Sequence, residues 1–310
     1  MNNQIHVYAP ATVANVACGF DILGFAVEKP GDEVILRKKK EPGVSISKIT
    51  GDQNKLPLEP EKNTAGVSVL AFLRYLDLNH GFEIELHKKM PLGSGLGSSA
   101  ASAVASVFAA NCLLGQPLHK NELLPFVLES EKVACGVAHA DNAAPALFGG
   151  FTLIRSYDPL DVIKIPTPKK LFCTLIHPQI EIRTEDARKI LKKEILFEDA
   201  IIQWGNIAGL IAGLMKPDYD LIRRSMQDVI IEPVRSILIP RFQEIKKAAI
   251  EAGALGCSIS GSGPSIFALS TSQKIADGVG EVMRNQFSAL GINSEIYISK
   301  INQIGPEILS

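Results

Sequence analysis

The chain has 310 residues, 46% of them apolar and 21% charged, with a formal net charge of -1. That is enough apolar material for one large or two moderate folded units, and it rules out a bare module or peptide hormone. Lys and Arg are scattered in short runs such as Arg37 to Lys40, Lys169-Lys170 and Lys192-Lys193, so no basic field for nucleic acid or a membrane surface is expected.

In chain order, the start from Met1 to Tyr8 lacks a basic stretch followed by an apolar one, so no secretory leader is expected. Residues 34–40 and 82–89 have strand character. In the second, Phe82, Ile84 and Leu86 alternate with Glu83, Glu85 and His87, as a half-buried strand requires. Between them, residues 64–78 place Val67, Leu70, Leu73 and Leu76 on one helical stripe. A glycine-rich break follows, then an Ala-rich helix to about Leu114. Its weakly polar run, residues 100–114, is too short to span a bilayer. A strand at 151–157 closes this half. Residues 159–170, with three prolines, read as a connection, and the division falls into residues 1–165 and 166–310. Beyond it, strands at 171–177, 265–270 and 295–299 and helices at 184–193, 198–214, 239–251 and from 273 predict helices packed on an antiparallel sheet. Trp204, in the middle of a helix, is expected to pack in the core.

The five cysteines, Cys18, Cys112, Cys135, Cys173 and Cys257, are odd in number and form no C-x-x-C pair. Neither a disulfide framework nor a cysteine zinc site is expected, and a reducing, cytoplasmic location fits them.

The most informative segment is Pro91-Leu92-Gly93-Ser94-Gly95-Leu96-Gly97-Ser98-Ser99-Ala100-Ala101. Glycines at alternate positions let the backbone turn tightly against a ligand. The helix that starts at the serines offers free N–H groups and a positive dipole end to an anion. No Lys follows the last Gly, and neither G-x-G-x-x-G nor G-x-S-x-G occurs, so the P-loop, the dinucleotide fingerprint and the serine-hydrolase elbow are all excluded.

Pro91-x-x-x-Gly95-Leu96-Gly97-Ser98-Ser99-Ala100 resembles the phosphate loop of the GHMP kinases. Two more segments agree in order and position, Ala9-Pro10-Ala11-Thr12-Val13-Ala14-Asn15 through Gly19-Phe20-Asp21, and Gly256 through Pro264 with its Gly261-Ser262-Gly263 turn. The similarity therefore covers nearly the whole chain. Ala-Asn-x-x-x-Gly-Phe-Asp, together with His139-Ala140-Asp141-Asn142-Ala143-Ala144-Pro145, resembles the branch of the family that phosphorylates L-homoserine. Ala17 departs from the family pattern, which has Gly there, and this puts the local backbone in question.

The resemblance implies an α+β, two-domain GHMP architecture. An amino-terminal ribosomal-protein-S5-domain-2-like domain would carry ATP and a carboxy-terminal ferredoxin-like domain would follow. It implies transfer of a phosphoryl group from ATP, with Mg2+, to the side-chain hydroxyl of L-homoserine, a step toward threonine, in a homodimer with no nucleic-acid or membrane partner. The loop residues Pro91 to Ala101 would hold the triphosphate, and Ser98 or Ser99 with Glu131 the metal. Asn63 and Lys88 are candidates for adenine by position. Homoserine is a zwitterion, so its site needs a carboxylate for its ammonium and a forked cation for its carboxylate. By resemblance the amino-acid contacts are Asn15, Asp21, His139, Asn142 and Gly261, with Arg188, Arg235 and Thr184 at the carboxylate. Two readings stay open for Arg188, a substrate clamp or a surface partner of Glu185. Asp141 is either a general base or a residue that orients His139 while transfer proceeds directly. The same scaffold also admits another GHMP small-molecule kinase, for mevalonate or a sugar, or a non-catalytic ligand-binding relative.

Overall fold

The computed structural model describes residues 3–136 and 139–310; Met1 and Asn2 of the opening stretch lie outside them. Eleven strands and ten α-helices are formed by the described residues, in two sheets. The first sheet contains β1 (Gln4–Ala14), β2 (Leu23–Lys39), β3 (Gly43–Thr50), β4 (Gly81–His87), β5 (Phe151–Tyr157), β6 (Leu160–Ile165) and β11 (Glu307–Ile308). The second contains β7 (Phe172–Pro178), β8 (Gly256–Ile259), β9 (Ile266–Ser270) and β10 (Ser294–Lys300), antiparallel in the order β10-β7-β9-β8. That order is ferredoxin-like, and the expected α+β class holds.

The strand anticipated at 34–40 is the second half of β2, a 17-residue strand whose two halves have different partners. Leu23, Gly24 and Phe25 pair with β5, while Glu33 to Lys39 pair with β4. β3 runs parallel to β4, and α1 (Thr64–Tyr75) makes the crossing between them. Asn63 caps α1 by accepting a hydrogen bond from the Ala65 amide at 3.1 Å.

The helix after the glycine loop is α2 (Ser98–Leu113), and all but a few of its residues are buried. Its small side chains explain this. An alanine-rich helix has no polar face to keep wet, so it sits between α1 and the first sheet, where Ala and Ser allow close approach. The Ser68 hydroxyl donates to the Ala103 carbonyl of α2 at 3.1 Å. α3 (Leu124–Cys135) and α4 (Ala140–Phe148) complete this layer.

Residues 159–170, read from the sequence as a connection, contain β6, which forms a hairpin with β5; only 166–171 link the two sheets. The chain then forms α5 (Thr184–Lys189), α6 (Phe197–Met215), α7 (Tyr219–Ser225), α8 (Glu232–Arg235), α9 (Phe242–Glu251) and α10 (Gln273–Ser288). Its end returns to the first sheet. The Asn302 amide donates to the Ala26 carbonyl, the His6 amide to the Ser310 carbonyl, and β11 pairs with β1. Phe25 joins the two sheets through its ring contact with Phe267 at 5.7 Å, and packs within the first sheet on Phe151 at 4.6 Å.

Trp204 corrects the sequence expectation: it is 57% exposed on the outer face of α6. A mid-helix aromatic is usually core, but here the buried residues of α6 are Ala200, Gln203, Leu210, Gly213 and Leu214, and Trp204 projects from the stripe they leave exposed. Cys18, Cys112, Cys173 and Cys257 are free thiols. Among the described residues no helix is long and apolar enough to cross a membrane.

Candidate active site

The glycine loop and both flanking motifs meet in one cleft of about 490 Å³. Gly93, Gly95 and Gly97 all have φ between 65° and 75°. Gly95 and Gly97 leave no room for a side chain. A Cβ on Gly95 would lie 2.4 Å from the Ser260 carbonyl, and one on Gly97 would lie 2.0 Å from the Thr12 hydroxyl. The loop is thus gripped from both sides. The Thr12 amide donates to the Leu96 carbonyl at 3.0 Å, the Ser260 hydroxyl to the Gly95 carbonyl at 2.7 Å and the Ser265 amide to the Ser94 carbonyl at 3.3 Å.

A buried ion pair supports the loop from beneath. Lys88 and Asp32 are both buried and in contact. Lys88 also donates to the Ser98 carbonyl at 2.9 Å and the Ser102 hydroxyl at 2.7 Å, while Asp32 accepts from the Lys89 and Met90 amides and, at 2.8 Å, from the Ser98 hydroxyl. These contacts correct two expectations. The ammonium of Lys88 points under the loop rather than toward a base, and the Ser98 hydroxyl is turned inward to Asp32. Asp32 lies 56 positions from Lys88, and no motif in the sequence announces it.

Leu92 through Ser99 line the cleft, but Ala100 and Ala101 are buried behind it, and the Ala101 amide already donates to the Gly97 carbonyl at 2.9 Å. Ala101 therefore has no amide to offer a ligand, and Pro91 is likewise outside the lining. Asn63 lines the cleft, yet its carboxamide is used by the Ala65 amide and the Pro57 carbonyl. Leu56, Pro57, Lys62 and Thr64 lie beside it, with Thr64 donating to the Ser99 carbonyl at 3.3 Å. Nothing in the local pattern of Leu56 and Pro57 marks them from sequence, because their place in the cleft depends on the fold of the 51–63 connection.

Glu131, on α3, is buried with one carboxylate oxygen lacking any partner; its other contact is the Ser99 hydroxyl. Burial raises its pKa to about 7, with the Ser99 bond and the Lys88 charge opposing the rise. The buried Ser94 hydroxyl also lacks a partner. Among the described residues no three His, Cys, Asp or Glu side chains converge on one point. A single carboxylate and a hydroxyl beside a polyphosphate are the protein ligands that Mg2+ usually takes, and an unpaired buried carboxylate oxygen fits such an ion.

At the other end lie Asn15, Asp21, His139, Asp141, Asn142, Thr184, Arg188, Arg235 and Gly261. Arg188 bonds to Asp21 at 2.7 Å and to His139 Nε2 at 2.5 Å. The alternative partner, Glu185, pairs instead with Lys189. Arg235 is buried and donates to the Ala187 carbonyl at 3.2 Å and the Gly261 carbonyl at 3.0 Å; burial, with the nearby Arg188 charge, lowers its pKa to about 10. The Phe20 ring lies between the two guanidinium groups, 5.5 Å from that of Arg188 and 4.9 Å from that of Arg235. The sequence reading quoted Phe20 in its motif but gave it no role.

Asn15 ties two motifs together. Its carboxamide donates to the Gly261 carbonyl at 2.8 Å and accepts from the Asp21 amide at 3.1 Å. Asn15, Val16 and Ala17 all have φ between 41° and 72°. Ala17, with φ of 59°, therefore occupies a left-handed position that glycine adopts without strain and that costs alanine roughly 1 kcal/mol. Asn142 accepts from the Thr12 hydroxyl at 2.7 Å. Asp141 is buried, has one unpaired oxygen, and has its pKa raised to about 7, first by burial and then by the charge of Asp21.

The chain matches the GHMP kinases N terminal domain over residues 63–150 and GHMP kinases C terminal over residues 210–289. It is 54% identical to a homoserine kinase of Chlorobium phaeobacteroides, over 97% of this chain and 98% of that one. It is 40% identical to one from Xylella fastidiosa, over 99% and 94%. The crystal structure of a homoserine kinase from Cytophaga hutchinsonii is 60% identical, covers all of this chain and 98% of that one, and superposes with a TM-score of 0.98. A mevalonate kinase from L. major in complex with R-mevalonate shares the fold, with a TM-score of 0.72 at 15% identity over 97% of each chain.

Proposed function

The chain belongs to the homoserine kinases of the GHMP kinase family, and from that premise we propose that it transfers the γ-phosphoryl group of ATP to the side-chain hydroxyl of L-homoserine, by the following division of labour. The observation that carries the proposal is the union, in one cleft, of a left-handed glycine loop at the head of α2 with a paired acid and base at its far end.

Phosphoryl transfer asks a protein mainly for positioning and charge stabilisation. The loop amides from Leu92 to Ser99 and the head of α2 hold the triphosphate, with Asp32 and Lys88 keeping the loop in shape from below. The apolar sides of Leu56 and Pro57 receive the base. Glu131 and Ser99 hold Mg2+, which when bound neutralises charge on the phosphoryl oxygens. Glu131 is suited to this because its buried carboxylate has an oxygen with no partner in the protein.

The zwitterion is held by separating a pair that already exists. Asp21 and Arg188 bond each other at 2.7 Å; the ammonium of homoserine goes to Asp21 and its carboxylate to Arg188, with Arg235 behind. Mevalonate has no ammonium for Asp21, and a sugar has no carboxylate for Arg188. Asn142 and His139 orient the amino acid. Asp141, with an unpaired oxygen and a pKa near neutrality, takes up the hydroxyl proton as the new bond forms.

A coupled ADP-release assay with homoserine, mevalonate and galactose as acceptors tests this reading. Turnover with homoserine alone is expected. Turnover with mevalonate and not homoserine would overturn the assignment of Asp21, and nucleotide binding without ADP release would favour a non-catalytic relative.

A further inference from the structure

We infer that Tyr157 is a positioning residue for the ammonium end of the amino-acid site, its hydroxyl tying the main chain of Asp21 to the head of α4. Tyr157 lies outside every motif of the sequence, and its role depends on the homoserine reading of the cleft given above. One phenol is shared by two motifs that are far apart in the chain. The hydroxyl donates to the Asp21 carbonyl at 2.7 Å and accepts from the Ala140 amide. Ala140 opens α4, which carries Asp141 and Asn142.

The phenol is delivered from a fixed strand end. Tyr157 is the last residue of β5, and the Ile154 amide of that strand donates to the Ile22 carbonyl, next to Asp21, at 2.8 Å. The hairpin tip is braced from within. The Ser156 hydroxyl donates to the Asp158 carbonyl at 3.1 Å and accepts from the Asp158 amide at 3.2 Å, and Arg155 pairs with Asp161.

Asp21 needs such a hold. Its φ is 60°, a left-handed conformation that costs a residue with a side chain roughly 1 kcal/mol. Its carboxylate bonds Arg188 at 2.7 Å, but homoserine takes both members of that pair, its ammonium going to Asp21 and its carboxylate to Arg188. Asp21 is then held through its main chain. The amide donates to the Asn15 carboxamide at 3.1 Å, and the carbonyl accepts from Tyr157 at 2.7 Å. On its other flank α4 rests on β2, where a Cβ on Gly24 would lie 1.8 Å from the Asp141 carbonyl. The Tyr157 hydroxyl on the Ala140 amide therefore keeps the head of α4 at a set distance from the Asp21 turn, which fixes the width of the ammonium pocket.

A phenol suits this task. Partial burial, followed by the charges of Asp141 and Asp21, pushes its pKa up, so the hydroxyl keeps its proton and stays a donor beside two carboxylates. The residue is 43% exposed, so the core does not depend on its ring.

Tyr157→Phe removes the hydroxyl and keeps the ring. Steady-state kinetics on the full chain should show the homoserine KM raised about tenfold, with kcat within about threefold and the KM for ATP within about twofold of the native values. The urea midpoint should stay near that of the native chain. 4-Hydroxybutyrate has the carboxylate and the hydroxyl of homoserine but no ammonium, so its Ki as a competitor of homoserine should be the same for both proteins. An active native chain whose homoserine KM is indifferent to Tyr157→Phe would overturn this inference alone. So would a variant in which the KM for ATP, or the Ki of 4-hydroxybutyrate, rises as much as the homoserine KM, since that is a general slackening of the cleft. A native chain inactive with homoserine would overturn the functional reading and this inference with it.

Discussion

Replacing Lys88 by Met removes the ammonium beneath the phosphate loop and keeps most of the stem that packs there. Asp32 then stays wholly buried without its cation, though the Lys89 and Met90 amides and the Ser98 hydroxyl still donate to it. Removing one member of a buried ion pair costs about 3–5 kcal/mol, and the remaining donors, with the Ser102 hydroxyl at 3.3 Å among them, place this case near the lower end, at about 3 kcal/mol. Against a typical total of about 5–15 kcal/mol the variant should still fold, with a clearly lowered urea midpoint. Lys88 holds the Ser98 carbonyl and the Ser102 hydroxyl, so its loss loosens the head of α2. The KM for ATP should rise while the KM for homoserine stays near its native value. Adding Asp32→Asn removes the stranded charge and should recover about 1–3 kcal/mol relative to the sum of the single changes. A Lys88→Met loss below about 1 kcal/mol with an unchanged KM for ATP, or strict additivity in the cycle, would refute the role given to the pair.

Four further outcomes are expected. Glu131→Gln and Ser99→Ala should each lower kcat/KM for ATP, Glu131→Gln by about a hundredfold or about 2.7 kcal/mol, and should raise the Mg2+ concentration needed for half-maximal rate; a magnesium titration that both variants leave unmoved would relocate the metal. Asp141→Asn should lower kcat by about 10² or more and abolish the acid limb that a group of pKa about 7 gives to the pH profile of the native enzyme. Phe20→Leu keeps the volume near the turn but removes the ring face shared by Arg188 and Arg235, so the homoserine KM should rise about tenfold with the KM for ATP unchanged. Finally, Glu131 and Asp141 have folded-state pKa values raised to about 7 from ordinary values of 4.5 and 3.8. Between those limits the folded chain binds more protons than the unfolded one, so their contribution to stability is present at the acid end and is lost as pH rises toward 7. Urea unfolding of the ligand-free protein should show that decline, and Glu131→Gln should remove part of it.

The sequence by itself determined what depends on neighbours along the chain. The glycine loop was legible because alternating glycines before a run of Ser and Ala can serve few purposes other than a tight backbone cradle heading a helix. α1 and β4 were legible from periodicity, since burial of one face imposes it on the sequence, and α2 from its run of alanines after the glycine break. The site candidates from Asn15 to Gly261 came from motifs whose spacing survives in the linear order, though their convergence in one cleft did not.

Only the tertiary structure decided which distant groups share a buried charge or a surface. Asp32 under the loop, Phe20 between two arginines, the inward turn of Ser98 and Lys88, and the exposure of Trp204 all depend on pairs far apart in the chain. β3 and β6 escaped notice for a similar reason, because an edge strand with one partner has no fully buried face to write into its sequence. The return of residues 301–310 to the first sheet is likewise set by backbone hydrogen bonds, which carry no side-chain signature. Local order is written by what each residue prefers, whereas the pairing of remote charges and faces is fixed only when the whole chain closes around them.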